Sequence, residues 1–195
     1  WHHAIGAATT VRNVVGEHVR VYCIFDSDYH SDDELAERTA DANVRGVQLH
    51  IWNAKELENY LIVPSAIQRI ICEESGDSSQ PSLVEVEAAI DASVDKLKID
   101  TTDAVASAIY ERNHALGVAA VNKAARERID KAWATREARC FIIPGKKLIS
   151  TLSEWSQSKY GVHLSPIKLA SNLRRHEIYP EVAEVLRAIG CNQPF

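Results

Sequence analysis

Two aspartates follow directly after an apolar run near the start of the chain. In Val-Tyr-Cys-Ile-Phe-Asp-Ser-Asp-Tyr, Asp26 directly follows Phe25 and Asp28 comes two residues later. Residues 19–25 are typical of a buried strand. Carboxylates that leave the carboxyl end of a parallel strand can turn toward one point, where Mg²⁺ or Mn²⁺ would relieve their repulsion. Alternatively, both aspartates cap the next helix and favour its positive end.

Three kinds of metal or phosphate chemistry suit this stretch. Acids at the first, third, seventh, ninth and twelfth places counted from Asp26 resemble a calcium loop, but Ser31 stands at the sixth place, where that loop needs glycine. An Asp-x-Asp pair after a strand also fits a phosphatase or phosphotransferase with Asp26 as the nucleophile, although His30 replaces the usual Thr or Val. The third scheme is the metal centre of a nuclease or topoisomerase-type enzyme.

Two glutamates follow the next predicted strand, which covers residues 47–52. Glu56 and Glu58 lie in Lys-Glu-Leu-Glu-Asn-Tyr-Leu, and a third carboxylate that reaches the aspartate pair is what a site for one or two cations requires. The alternative is that both glutamates are ordinary surface acids in the first turn of a helix.

Basic residues lie close together in the second half of the chain, although the formal net charge is -5 at pH 7. Lys146 and Lys147 follow a Pro-Gly pair, and Arg174 adjoins Arg175. Local basic strips of this kind can bind nucleic acid beside an acidic metal site, or they can be the solvated faces of helices. On the first interpretation, Lys147, Arg174 and Arg175 bind nucleic acid.

The elements that position the acids follow from capping and periodicity. Ser31 and Glu34 have capping-box spacing, so a helix should begin there and run to Gly46. A strand before it at 19–25 and another after it at 47–52 make a βαβ unit. Such a unit implies a parallel sheet with a right-handed crossover.

Most of the remaining chain is predicted to be helical. Residues 83–139 are rich in alanine and poor in strand formers, with a break near Asn-His-Ala-Leu-Gly. The apolar run before Pro-Gly at 140–147 suggests that the chain returns to the sheet. Three short helices should follow. Their ranges are 147–159, 166–176 and 181–189.

These patterns divide the chain into three predicted segments: an α/β core at 1–75, an all-helical insertion at 76–139, and a return to the core with C-terminal helices at 140–195. A Ser-, Gly- and Pro-rich linker at 75–82 precedes the insertion. The chain is 46% hydrophobic and 25% charged, and it lacks a long apolar run, so we expect a cytoplasmic protein without a membrane span. Its four cysteines are expected to be reduced and buried.

The motifs in this order resemble a known family. Phe-Asp-Ser-Asp-Tyr, the later Glu-Asn-Tyr-Leu followed by Pro, and the Gly-Lys segment are similar to the Toprim domain of OLD-family (overcoming lysogenization defect) ATP-dependent endonucleases. The likeness covers residues 19–71 and 141–161, while the helical stretch between them has no counterpart. The resemblance implies a Toprim-like α/β core with a parallel sheet. The family's first strand ends in a Glu and would lie before Trp1, so we expect this chain to be a C-terminal fragment.

The resemblance also implies roles for single residues. Asp26 and Asp28 would bind Mg²⁺ or Mn²⁺, as one or two ions, and Glu58 would complete the ligand set and take part in catalysis. Lys146 would place a positive charge near the scissile phosphate. Lys147 is the alternative for that role because the doubled lysine leaves the register open.

The implied function is metal-dependent hydrolysis of DNA phosphodiester bonds, in phage defence or DNA repair. ATP would act only through an ATPase domain, which this chain lacks because no Gly-rich phosphate loop occurs in it. The parent protein would form homo-oligomers. Two alternatives stay open. One is the phosphatase or phosphotransferase with Asp26 as nucleophile, and the other is a non-catalytic module whose Ala-rich helices mediate dimerisation or partner binding.

Overall fold

The computed structural model describes residues 2–16, 19–75 and 80–191. It divides into two compact units. The sheet unit comprises residues 1–53 and 178–195, and the helical unit comprises residues 54–177. This division differs from the three predicted segments, which stay a prediction.

Twelve regular elements are found in the described residues, together with two short 3₁₀ helices at Leu57–Leu61 and Arg175–Glu177. In chain order they are α1 His2–Val15, β1 Tyr22–Phe25, α2 Asp32–Val44, β2 Gln48–Ile51, α3 Pro64–Glu74, α4 Leu83–Lys96, α5 Lys98–Arg112, α6 Val118–Ala132, α7 Arg136–Ile142, α8 Gly145–Tyr160, α9 Pro166–Asn172 and α10 Pro180–Gly190. The protein is therefore mostly helical with a small parallel sheet, which is compatible with the α/β class.

The sheet unit contains the predicted βαβ arrangement. Strands β1 and β2 pair in parallel, with Tyr22 opposite Gln48 and Phe25 opposite Ile51. The ladder continues one step further because the Trp52 N–H donates to the Phe25 carbonyl at 3.0 Å. Both strands are shorter than predicted, but their order, direction and connecting helix are confirmed.

The start of helix α2 is the predicted capping box. The Glu34 N–H donates to Ser31 Oγ at 3.3 Å, and the Ser31 N–H donates to Glu34 Oε2 at 2.8 Å. These reciprocal bonds satisfy donors that the first turn of a helix leaves without intrahelical partners.

One face of the small sheet carries the core of the sheet unit. Ile5 and Ala8 of α1 pack there with Ala42 of α2 and with Val47 and Leu49. On the opposite face, the Tyr22 hydroxyl donates to the Ala188 carbonyl of α10 at 3.4 Å. The alternation of side chains along a strand separates the two faces.

The helical unit has its own core, formed by α3, α4, α7, α8 and α9. Its most completely buried members include Ile67, Ile71, Val86, Leu148 and Leu152. Helices α5 and α6 are joined by residues 113–117, which is the predicted break in the helical stretch. The helical prediction for 83–139 is confirmed, and the three short helices that follow are present as α8, α9 and α10. Helix α9 ends at Asn172, earlier than the predicted 176, and Pro166 and Pro180 stand in the first turns of α9 and α10.

The predicted return to the sheet at 140–147 is wrong. Cys140 lies in α7, which begins where Thr135 Oγ1 accepts the Ala138 N–H at 3.1 Å, and α8 begins at Gly145. A four-residue apolar run fits a strand or a buried helix turn equally well, and only its surroundings decide. Here Cys140 and Ile143 are buried against the helical core.

The linker predicted at 75–82 lies partly outside the described residues. No helix in the described ranges is long and apolar enough to cross a membrane. All four cysteines are free, but the expectation that all are buried is wrong, because Cys191 is exposed and Cys140 alone among them is fully buried.

Candidate functional site

The Asp26–Asp28 segment leaves β1 through a tight turn in an unusual backbone conformation. Asp28 and Tyr29 have φ angles of 44° and 59°, and the His30 N–H donates to the Ser27 carbonyl at 2.9 Å. Positive φ at both central residues is the pattern of a type I′ turn, which normally selects Gly or Asn. Two consecutive left-handed residues without glycine cost about 1–2 kcal/mol each.

Backbone strain of this kind persists where the surroundings enforce it and is found most often at functional sites. The ring of Tyr29 is buried, which anchors the turn, while Asp28 is exposed and Asp26 is half-buried. The alternative that both aspartates cap α2 does not match the observed helix start. Ser31 is the N-cap of that helix, so the capping role belongs to Ser31 and Glu34.

A further carboxylate lies at the end of β2 within the sheet unit. Glu181, in the first turn of α10, accepts the Asn53 N–H at 3.0 Å and lies 3.1 Å from His50 Nε2. The ring of His50 packs edge-on against Trp52, with centroids 4.6 Å apart. Sequence reasoning missed Glu181 because it stands about 130 residues after its partners. The available signal was an acid next to Pro180 in a predicted first turn.

In the helical unit, two pairs of oppositely charged residues meet where the 3₁₀ helix Leu57–Leu61 contacts the start of α8. The Lys146 N–H donates to Glu56 Oε2 at 3.1 Å, and Lys146 Nζ lies 3.5 Å from Glu58 Oε1. Lys55 Nζ donates to Glu56 Oε1 at 2.8 Å. We call Lys55, Glu56, Glu58 and Lys146 the glutamate–lysine cluster.

The two glutamates of the cluster differ in surroundings. Burial by itself would raise the pKa of Glu56, but the hydrogen bonds from Lys55 and from the Lys146 backbone outweigh it, so the pKa of Glu56 is lowered. The Glu56 carboxylate is therefore ionised and accepts hydrogen bonds from two donors. Glu58 Oε1 lies near the ammonium group of Lys146, whose side chain is 66% exposed, while the side chain of Glu58 is 20% exposed. Lys146 is therefore the most exposed member of the cluster.

Asn59 fixes the backbone around the cluster. Its side chain is almost fully buried, and its amide group donates to the carbonyls of Cys140 and Ile143 at 2.7 and 2.8 Å. Its Oδ1 accepts the Glu56 N–H at 2.9 Å. The two carbonyls lie at the end of α7 and have no intrahelical partner. The Asn59 side chain therefore supplies their donor and also accepts the N–H of Glu56.

Gly145 allows the close approach of α8 to this turn. A Cβ at position 145 would stand 2.8 Å from the Asn59 backbone nitrogen and 3.0 Å from Glu58 Cβ. Tyr60 closes the other side, because its ring packs edge-on against Phe141 and its hydroxyl accepts the Ala54 N–H at 3.1 Å. Tyr60 is therefore a packing residue.

The residues predicted from the sequence fall into two groups. Asp26 and Asp28 belong to the sheet unit, whereas Glu58 and Lys146 belong to the helical unit and contact each other. Lys147 is exposed next to them, and it is Lys146, not Lys147, that contacts both Glu56 and Glu58.

The two arginines of the predicted basic strip are both exposed. The backbone of Arg174 donates to Glu177 at 2.8 Å, so this segment has a structural role whatever else it binds. The prediction that Arg174 and Arg175 bind nucleic acid stays a prediction.

The donor chemistry of Asp26, Asp28 and Glu58 fits a hard divalent cation, because all three offer carboxylate oxygens. Across residues 2–16, 19–75 and 80–191, no group of three or more His, Cys, Asp or Glu side chains is placed to hold a metal ion. The predicted ligand set stays a prediction.

Comparison with known proteins adds no family. The chain matches no protein-family model, no curated protein and no solved structure. The resemblance to the OLD family therefore depends on the sequence motifs alone.

Proposed function

We propose that this chain is the nuclease portion of an OLD-family ATP-dependent endonuclease, with a Toprim-like core, and that it hydrolyses phosphodiester bonds in DNA. The observation that carries the proposal is the contact between two of its motifs. Glu58 of Glu-Asn-Tyr-Leu and Lys146 of the Gly-Lys segment lie 3.5 Å apart, although about 90 residues separate these motifs along the chain. Motifs that serve one reaction should converge in this way.

The acidic part of the proposed site consists of Asp26 and Asp28, with Glu58 as a further ligand, as the family resemblance implies. Mg²⁺ or Mn²⁺ bound there would polarise the phosphate and lower the pKa of an attacking water. The position of Asp26 and Asp28 after a parallel strand supports this role, since open α/β sheets bind ligands at that edge. The strained turn at Asp28 supports it as well.

The basic part of the proposed site is the side chain of Lys146. Its ammonium group is exposed to solvent and lies 3.5 Å from Glu58 Oε1, so a phosphate in solution can approach it. A cation in that position stabilises the negative charge that develops on the phosphate oxygens in the transition state. Glu56 is suited to a supporting role because its carboxylate already accepts two hydrogen bonds.

The wider setting is part of the same proposal. DNA is the substrate, ATP acts through an ATPase domain of the parent protein, and the parent assembles as a homo-oligomer. The biological role is defence against phage or DNA repair in the cytoplasm.

A plasmid-nicking assay tests the proposal. The purified full-length protein should convert supercoiled plasmid to nicked circles in Mn²⁺, and Asp26→Ala and Lys146→Ala should each reduce the rate at least a hundredfold, as loss of a transition-state contact does. Lys147→Ala is the matched control, because it removes the neighbouring exposed lysine, and it should retain nicking within a few-fold. Nicking that survives Asp26→Ala would refute the metal site, and hydrolysis of small phosphate esters with intact plasmid would favour the phosphatase.

A further inference from the structure

Glu58 and Lys146 form an ion pair, although the proposed reaction requires each of them to bind something else. Glu58 Oε1 lies 3.5 Å from Lys146 Nζ. In the proposed nuclease, the same carboxylate binds a divalent cation and the same ammonium group faces a phosphate. Opposite charges at this distance largely cancel each other's field, so the observed pair offers little net charge to either ligand. The contact therefore bears on both binding events.

The pair can separate at little cost. Its distance of 3.5 Å exceeds the roughly 2.7–2.9 Å of a charge-assisted hydrogen bond. The Lys146 side chain is largely exposed, so water solvates its ammonium group when it leaves the carboxylate. Exposed ion pairs contribute little to stability for these reasons.

Glu58 is the fixed partner of the pair, and Lys146 is the adjustable one. The Glu58 side chain is mostly buried, and a Cβ on Gly145 would stand 3.0 Å from Glu58 Cβ, so α8 packs closely against the base of this side chain. The backbone of Lys146 is held separately, because its N–H donates to Glu56 Oε2 at 3.1 Å. The ammonium group can therefore change its partner while the start of α8 keeps its place.

Glu56 is less suited than Glu58 to exchange partners. One Glu56 oxygen accepts a hydrogen bond from Lys55 Nζ, and the other accepts one from the Lys146 N–H. The side chains of Lys55 and Glu56 are both largely buried. A cation at Glu56 would therefore displace two hydrogen bonds, whereas a cation at Glu58 competes with an exposed ammonium group.

We propose that Lys146 is the counter-ion of Glu58 until a divalent cation takes that role, and that the exchange makes the ammonium group available to the substrate phosphate. This inference rests on the proposed nuclease function and adds how the charges of its site regulate one another. Linkage requires the reverse effect as well, so a phosphate that attracts Lys146 away from Glu58 strengthens cation binding. Cation and substrate therefore bind cooperatively through this one contact.

Mn²⁺ titrations in the absence of DNA test the exchange. Free Mn²⁺ is counted by electron paramagnetic resonance as the full-length protein binds it. Lys146→Met removes the competing charge and should tighten Mn²⁺ binding by about threefold to fivefold, the upper part of the range for an exposed ion pair. Lys146→Arg keeps the charge, so its Mn²⁺ affinity should stay within about twofold of the wild type. Lys147→Met is the matched control, because it removes the neighbouring exposed lysine, and it should also stay within about twofold.

A double-mutant cycle shows whether the effect passes through Glu58. Glu58→Gln should itself weaken Mn²⁺ binding, because a neutral amide replaces a carboxylate ligand. In that background Lys146→Met should change the affinity by less than about twofold, since no carboxylate is left for the lysine to neutralise. Equal tightening in both backgrounds would overturn the proposal, because it would indicate a general effect of the lysine charge. Unchanged or weaker Mn²⁺ binding by the single variant Lys146→Met would overturn it too.

The failure of this exchange and the failure of the nuclease proposal give different results. If Asp26→Ala abolishes Mn²⁺ binding and nicking while Lys146→Met binds Mn²⁺ like the wild type, the exchange is wrong and the nuclease proposal survives. If Lys146→Met tightens Mn²⁺ binding through Glu58 while nicking is insensitive to Asp26→Ala, the exchange is right and the proposed chemistry is wrong. A wild type that binds no Mn²⁺ would overturn both.

Discussion

The carboxylate of Glu177 offers the clearest quantitative test of the structure. It accepts hydrogen bonds from Arg69 Nη1 and Nη2 at 3.1 and 2.7 Å, from Ser65 Oγ at 2.6 Å and from the Arg174 N–H at 2.8 Å. The Glu177 side chain is only 6% exposed. These bonds join the 3₁₀ helix Arg175–Glu177 to α3, so Glu177→Gln should destabilise the helical unit.

The magnitude follows from the pKa. The hydrogen bonds from Arg69 lower the pKa of Glu177 from 4.5 to about 2. At about 1.36 kcal/mol per pKa unit, the full shift would correspond to roughly 3.4 kcal/mol. Glutamine keeps one oxygen that can accept a hydrogen bond from Arg69, so only part of this is lost, and we expect a loss of about 2 kcal/mol for Glu177→Gln at pH 7.

The sign of the pH dependence is fixed by the lowered pKa. The stabilisation is fully present above the unfolded pKa near 4.5 and is lost as the pH falls through the folded pKa of about 2. In urea unfolding, the difference in unfolding free energy between the wild type and Glu177→Gln should therefore fall by about half or more between pH 7 and pH 3.

Glu73→Gln is the matched control, because Glu73 is an exposed acid on α3 whose charge also acts on Arg69. It should change the unfolding free energy by less than about 0.5 kcal/mol at either pH. An equal deficit of Glu177→Gln at pH 7 and pH 3 would refute the electrostatic reasoning and leave packing as the cause.

Three further predictions concern the candidate site. Asn59→Ala should cost about 3 kcal/mol in urea unfolding, because the buried carbonyls of Cys140 and Ile143 lose their donor, and a loss below 1 kcal/mol would contradict the contacts described. Gly145→Ala should cost about 1–3 kcal/mol by overpacking against Asn59, whereas an unchanged midpoint would show that α8 can shift freely. Asp28→Gly should be more stable than Asp28→Ala by about 1–2 kcal/mol in thermal melts, because glycine tolerates the positive φ. Both variants should lose nicking. Equal melting temperatures would exclude strain in this turn.

The sequence predicted those features that depend on residues close together in the chain. The capping box of α2 needs only Ser31 and Glu34, three residues apart, and the bonds form as expected. The parallel strands were predictable because a helix of ordinary length separates two apolar runs. Pro166 and Pro180 likewise report helix starts through a local property, the fixed φ of proline.

Features that depend on distant residues were not predictable in the same way. The apolar run at 140–143 became the end of a helix because the helical core buries Cys140 and Ile143, and no local signal distinguishes that from a strand. The family resemblance implies roles for Glu58 and Lys146 in one site, but the direct contact between them was not predicted. The roles of Asn59 and Glu56 were missed, since each depends on groups about 80 to 90 residues away.

Lys146 makes two contacts with the turn that contains Glu56 and Glu58. Its backbone N–H donates to Glu56, and its ammonium group lies beside Glu58. The first attachment is independent of the side chain, so every residue type except proline keeps α8 anchored at this position. Evolution or design can therefore exchange the side chain at 146 without dismantling its support. Under the proposed nuclease function, a Lys146 variant should therefore lose nicking while keeping its fold.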